Sequence, residues 1–118
     1  MWGSMRSKSG QPVDVLLVPA MPHTALPHRC SSRWVGYTKL FNFLDYTALS
    51  FPAGRASKDL DKLDNAYQPR NLNDAWNWGN YDIQSMDGHH VGLQIVGRRF
   101  EEEKVLGAAH QVQVLLET

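Results

Sequence analysis

Val13-Asp14-Val15-Leu16-Leu17-Val18, closed by Pro19, is a short, nearly continuous apolar run rich in β-branched residues. Its length favours a strand over a helix, and its lack of alternation favours a strand buried on both faces. Such a strand is stable only where something covers it front and back, so the remainder of the 118 residues must be read for what it supplies. By length the chain fits one domain. Residues 1–12 are polar and contain Gly and Ser, which predicts a frayed lead-in, with the folded part running over 13–118. Beyond the run, Pro22 and Pro27 predict an extended loop to about Ser32.

From Trp34 to Tyr46 the spacing changes. Tyr37, Leu40, Phe41 and Leu44 fall at helical intervals, with Lys39, Asn42 and Asp45 on the other side, which predicts a short helix. Ala48-Leu49-Ser50-Phe51 reads as a short strand stopped by Pro52 and Gly54. Arg55 to about His90 is a long polar stretch without convincing periodicity, and it carries Trp76, Trp78 and Tyr81. Tryptophans need a surface to pack on, so the stretch is expected to be an ordered excursion leaning on another part of a larger protein. Val91, Leu93 and Ile95 alternate with their neighbours, so 91–96 reads as a strand, and Gly97-Arg98-Arg99-Phe100 as a turn. Glu101-Glu102-Glu103 then opens a helix whose N-terminal dipole favours acidic residues. Val105, Leu106, Ala109, Val112, Leu115 and Leu116 form its expected apolar stripe. The βα order implies a parallel or mixed sheet with flanking helices.

Lys and Arg together equal Asp and Glu, at 12 each, and no basic run stands out, which argues against a nucleic-acid partner. No apolar stretch approaches the roughly 20 residues that span a bilayer, so no membrane partner is expected. The single cysteine, Cys30, cannot form an internal disulfide and suits a reducing compartment. With no secretory signal in the first residues, the expectation is a cytoplasmic protein.

Three segments in order resemble one family. PVDVLLVPAMPHTALPH resembles the strand and proline-rich loop that begin the last quarter of amidase-signature enzymes. GYTKLFNFLDYTALSFPAG is similar to the helix and strand that follow in their fungal acetamidase-like branch, and YQPRNLNDAWNWGNYD to an insertion of that branch. DGHHVGLQIVGRRFEEEKVLGAA resembles the family's closing strand and final helix, with His90 where the family commonly has proline. The resemblance runs from about Gln11 onward. It implies an α/β fold, the C-terminal fragment of the amidase-signature fold, incomplete on its own. It also implies hydrolysis of carbon–nitrogen bonds in a small amide, such as acetamide, with no cofactor. In that family a serine nucleophile, a second serine in a cis peptide and a lysine base lie in the first half, around GGSSGG. No segment here matches them.

The residues agree with that absence. Ser31-Ser32 lacks the flanking glycines that would bring backbone donors to an oxyanion, and Lys39, Lys58, Lys62 and Lys104 sit among polar or acidic neighbours that keep an amine charged. Cys30 with His28 lacks an orienting third group. His23, His28 and Cys30 are spaced too loosely for a metal, and adjacent His89 and His90 would point to opposite faces. No catalytic or metal residue is therefore assigned. Given the resemblance, Met21, Pro22, Trp34, Tyr37 and Phe41 could wall a substrate pocket, although for the three aromatic residues packing of the short helix is the favoured reading. Two functional readings follow. The favoured one is an amide-hydrolase segment that is inactive alone and needs its missing N-terminal part to act on a small amide. The alternative is a non-catalytic interaction or scaffold module derived from an amidase.

Overall fold

A computed structural model describes residues 2–28, 30 and 32–117. The chain forms strand β1 (Leu16–Pro19), helix α1 (Gly36–Phe43), strand β2 (Thr47–Arg55), helices α2 (Leu72–Gly79) and α3 (Ile83–Met86), strand β3 (His90–Gly97) and helix α4 (Glu102–Leu116). The strands make one sheet in the order β1-β3-β2. β3 pairs antiparallel with β1, Leu17 opposite Ile95, and antiparallel with β2, Leu49 opposite the same Ile95. β1 and β2 therefore point the same way, as the βα order required, while β3 fills the gap between them. The α/β class and flanking helices stand; the correction is that each ladder among the described residues is antiparallel, with no parallel pairing.

The strand buried on both faces is β3. Its Gln94, Ile95 and Val96 are 2%, 0% and 0% exposed. β1 instead lies at the edge, is four residues long, and leaves Leu17 52% exposed. An apolar run cannot by itself distinguish an edge strand from a central one. β2 is longer than its proline suggested. Pro52 is tolerated because β2 is the other edge, and the ladder shifts register between Pro52 and Gly54 before continuing to Arg55.

Alternation along β3 sends Ile95 to one face and Gln94 to the other. On the first face Ile95 packs with Val105 and Ala109 of α4, joined by Val15, Leu49, Phe51, Ala108 and Val112. Contact is close where α4 starts: a Cβ on Gly97 would lie 2.7 Å from Val105 Cγ2. Only part of the expected α4 stripe is covered. Leu106, Leu115 and Leu116 are exposed. On the second face Gln94 Nε2 donates to the carbonyls of Tyr37 in α1, at 2.9 Å, and Pro19 in β1, at 3.1 Å.

The lead-in is anchored, contrary to the expectation of fraying. Trp2 is 4% exposed, donates through Nε1 to the Val13 carbonyl at 2.9 Å, and meets Tyr46 edge-on at 5.4 Å. A long apolar side chain overrode the polar composition around it.

Cover is incomplete. Among the described residues nine hydrophobic side chains are buried while fifteen large ones are exposed. The radius of gyration is 16.4 Å, against about 13.5 Å for a compact domain of this length. The chain alone should melt without a sharp transition and bind a hydrophobic dye at ambient temperature; a cooperative melt of a clean, dye-free monomer would refute this. No helix among the described residues is long and apolar enough to cross a membrane.

Glu101 ties the β3–α4 turn. Its Oε2 accepts from the Arg98 backbone N–H at 2.8 Å, and its Oε1 lies 3.4 Å from Lys104 Nζ. The Arg98 N–H first, then Lys104, hold the carboxyl below its usual range. A depressed folded-state pKa contributes stability above the unfolded value, and that contribution disappears as pH falls through the folded one. Glu101→Gln should therefore flatten the acid limb of stability, measured as urea midpoints from about pH 7 down to about pH 3. An unaltered acid limb would exclude this carboxyl as a contributor.

Candidate functional site

The loop after β1 continues the sheet briefly, with Ala20 N–H donating to the Gly92 carbonyl at 3.2 Å. It then turns over the sheet end. His89 Nδ1 donates to the Ala25 carbonyl at 2.8 Å and fixes the middle of the loop. His23 Nδ1 donates to Thr24 O at 2.7 Å, while its Nε2 lies 3.1 Å from Ser32 Oγ. Ser32 Oγ donates onward to Trp34 O at 2.9 Å.

Residues 55–90 form the facing wall. The stretch is ordered, as its tryptophans implied, and contains two helices that the lack of long periodicity concealed. Asn71 caps α2 by accepting from the Asp74 N–H at 2.9 Å, and Asp82 caps α3 by accepting from Gln84 and Ser85. The spacing Asn71-x-x-Asp74 was the legible signal for α2. Tyr67, Trp78 and Tyr81 pack in series, with Trp78 centred 4.7 Å from Tyr67 and stacked at 5.9 Å on Tyr81. Within this chain, then, the aromatic residues lean on one another and on the loop after β1. Asn77 Nδ2 joins the walls by donating to Pro22 O at 3.1 Å.

Between the walls lies a cavity of about 480 Å³. Met21, Pro22 and Tyr37, expected from sequence, all line it, with Pro19 at the end of β1. Trp34 lines an adjoining cavity of about 460 Å³, which Pro22 and Tyr37 share. Its indole lies across Gly36, where a Cβ would meet the ring at 2.0 Å, and it meets Tyr37 edge-on at 4.8 Å. Phe41 lines neither cavity; it is the buried residue of α1, in the packing role that sequence favoured for it. Sequence reasoning missed Tyr67, Asp74, Asn77, Trp78 and Tyr81, which lie some fifty residues from the loop they face.

Asp74 stands between the two cavities and lines both. Its Oδ2 accepts from Tyr67 Oη at 2.7 Å and from the Arg70 N–H at 2.8 Å. Those two bonds, Tyr67 first, hold the carboxyl below its usual range, and the same bond raises the Tyr67 phenol. Asp74 is a carboxylate at neutral pH.

The rejected nucleophiles stay apart from any catalytic arrangement. Ser31 lies outside the described residues. Ser32 Oγ is shared between the Trp34 carbonyl and His23 Nε2, at 2.9 and 3.1 Å. Cys30 is exposed and forms no hydrogen bond with His28. Among the described residues no three His, Cys, Asp or Glu side chains converge as metal ligands would.

A three-stranded sheet flanked by helices thus carries an apolar and aromatic cavity at the end of β1. The chain matches the Amidase family over residues 1–106 and belongs to it. Amidase 1 of Gibberella moniliformis is 70% identical over 98% of this chain and 22% of its own length. Acetamidase of Emericella nidulans is 32% identical over 98% of this chain and 21% of its own. Among solved structures, fatty acid amide hydrolase superposes with a TM-score of 0.77 at 34% identity, covering 90% of this chain and 19% of that one. The chain spans about a fifth of the length of these relatives, in their C-terminal part.

Proposed function

We propose that this chain is the C-terminal segment of an amide hydrolase and provides one wall of its substrate cavity. The serine nucleophile, second serine and lysine base would come from the N-terminal part present in its relatives. The observation that carries this reading is the cavity's position. It lies at the carboxyl end of β1 and is lined mostly by apolar and aromatic side chains with a few polar groups, the make-up of a small-molecule site. In this role Met21, Pro22, Tyr37 and Trp34 bound the substrate, which is a small amide cleaved by water to a carboxylate and ammonia. Residues 13–118 make up the segment, with residues 1–12 as a lead-in held by Trp2. The single exposed thiol of Cys30 favours the cytoplasm as its compartment.

The experiment is reconstitution. The purified chain is mixed with, or fused behind, the N-terminal part of Amidase 1 from Gibberella moniliformis, and ammonia release is followed from acetamide and longer amides. The expected result is silence from either part alone and hydrolysis from the two together. Binding of the two parts without hydrolysis would instead favour a scaffold derived from an amidase, a reading suggested by the exposed apolar surface. Hydrolysis by the chain alone would overturn both.

A further inference from the structure

The first cavity has an asymmetric supply of hydrogen-bonding groups. Tyr67 Oη donates to Asp74, and Tyr81 Oη donates to the Asp61 carbonyl at 2.5 Å. Asn77 Nδ2 is committed to Pro22 O, and Asn80 Nδ2 to Trp76 O at 2.6 Å. Thr24 Oγ1 donates to Ala25 O, and both ring nitrogens of His23 are engaged. Left without partners among the described residues are three acceptor oxygens, Asp74 Oδ1, Asn77 Oδ1 and Asn80 Oδ1, against one remaining N–H on each of the two Asn amides. These three residues are half-buried, and no buried side-chain polar atom lacks a partner, so the three oxygens remain reachable from solvent. The Tyr37 hydroxyl, which can donate or accept, is the one mixed group.

The excess of acceptors favours a ligand that brings donors, and beside an ionised carboxylate the favoured donor is a cation. The faces of Tyr67 and Trp78 add to that preference. Arg70 lines the second cavity and its charge acts on Asp74, but it forms no ion pair with the carboxylate among the described residues, which leaves Asp74 Oδ1 open to a second cation. We infer that the cavity selects amides bearing an ammonium group on an apolar chain, the ammonium held by Asp74 and the side-chain carbonyls of Asn77 and Asn80. This rests on the cavity being part of the substrate site, as proposed above, and it names the substrate class.

The test uses an isosteric pair, 4-aminobutanamide and pentanamide, which differ by an ammonium in place of a methyl. The fused protein should have the higher kcat/KM for 4-aminobutanamide. Asp74→Asn keeps an acceptor for Tyr67 and Arg70, and it should reduce the ratio of the two kcat/KM values by about 10- to 100-fold. Equal use of the two amides, or a ratio that Asp74→Asn leaves in place, overturns the inference while the amidase reading stands. A binding arm separates the two ideas if no hydrolysis is seen. Benzylammonium and benzyl alcohol are titrated against the 118-residue chain and the fused protein, with tryptophan fluorescence as the readout. Saturable quenching by benzylammonium alone, lost in Asp74→Asn, supports the ligand class even if the amidase reading fails. No discrimination in either protein rejects it.

Discussion

Ile95→Ala is expected to destabilise the fold by about 2–5 kcal/mol, the range for deleting a fully buried aliphatic side chain where the surroundings cannot collapse. Ile95 is 0% exposed and sits where the two edge strands and α4 meet, with Val105 and Ala109 above it and Leu49 and Val15 beside it. Neighbours on three elements limit relaxation into the void, which places the cost toward the upper part of the range. Total stability of a domain is only about 5–15 kcal/mol, and this chain covers its apolar surface incompletely, so the substitution removes most of what is available. The measurement is urea unfolding of the reconstituted protein, with Leu115→Ala as control. Leu115 is 72% exposed on the same helix, and its truncation should stay within about 0.5 kcal/mol. Equal shifts for the two would mean that Ile95 is not at the centre of the core. A cost confined to Leu115 would mean that the other part of the enzyme covers the last turn of α4.

The positions of the helices and strands were mostly legible in the sequence, whereas their burial was not. The alternation of Val91, Leu93 and Ile95 located β3, and the Glu101–Glu103 run located the start of α4. The error was to assign two-sided burial to Val13–Val18 and to pass over it in β3. Composition favoured the former, because β3 carries Gly92, Gly97 and Gln94 among its apolar residues. In the fold those residues fit the centre of the sheet: Gly97 lets α4 approach, and Gln94 satisfies carbonyls that an apolar residue would leave bare. The site divided along the same line. Met21, Pro22 and Tyr37 were reached through the family resemblance, and in the fold they flank one strand and the next helix and line one cavity. Their partners Tyr67, Asp74 and Trp78 come from a stretch whose order rests on caps and aromatic packing, which no periodic pattern announces.

Gln94→Glu should be the most damaging change of near-identical shape in the chain at neutral pH, and its effect should weaken as pH falls. The wild-type amide nitrogen donates to Tyr37 O and Pro19 O, and so joins α1 and β1 to the central strand. A carboxylate in that position has no proton to give. It would face two carbonyl oxygens at about hydrogen-bond distance from a position that is 2% exposed. An ionised group there is disfavoured by desolvation and by the lone pairs opposite, so the introduced carboxyl takes a folded-state pKa above its unfolded value. A raised pKa gives no penalty below the unfolded value, a penalty growing with pH between the two values, and a constant one above the folded value. The protonated form can also donate to one of the two carbonyls, which restores half of the connection. Gln94→Leu removes both donors without adding charge, so it should cost about 1–3 kcal/mol at every pH, chiefly for the Pro19 carbonyl, because the Tyr37 carbonyl keeps its Phe41 N–H within α1. The discriminating measurement is the difference in urea midpoint between the Glu and Leu variants from about pH 7 to about pH 4. Glu should be the weaker at neutral pH and should match or exceed Leu in acid. Parallel pH profiles would show that the position 94 side chain has turned to water and that α1 is held by other contacts. Because Tyr37 and Pro19 also line the cavity, the same loss should loosen its wall and raise KM for any amide bound there, so stability and substrate binding should fall together.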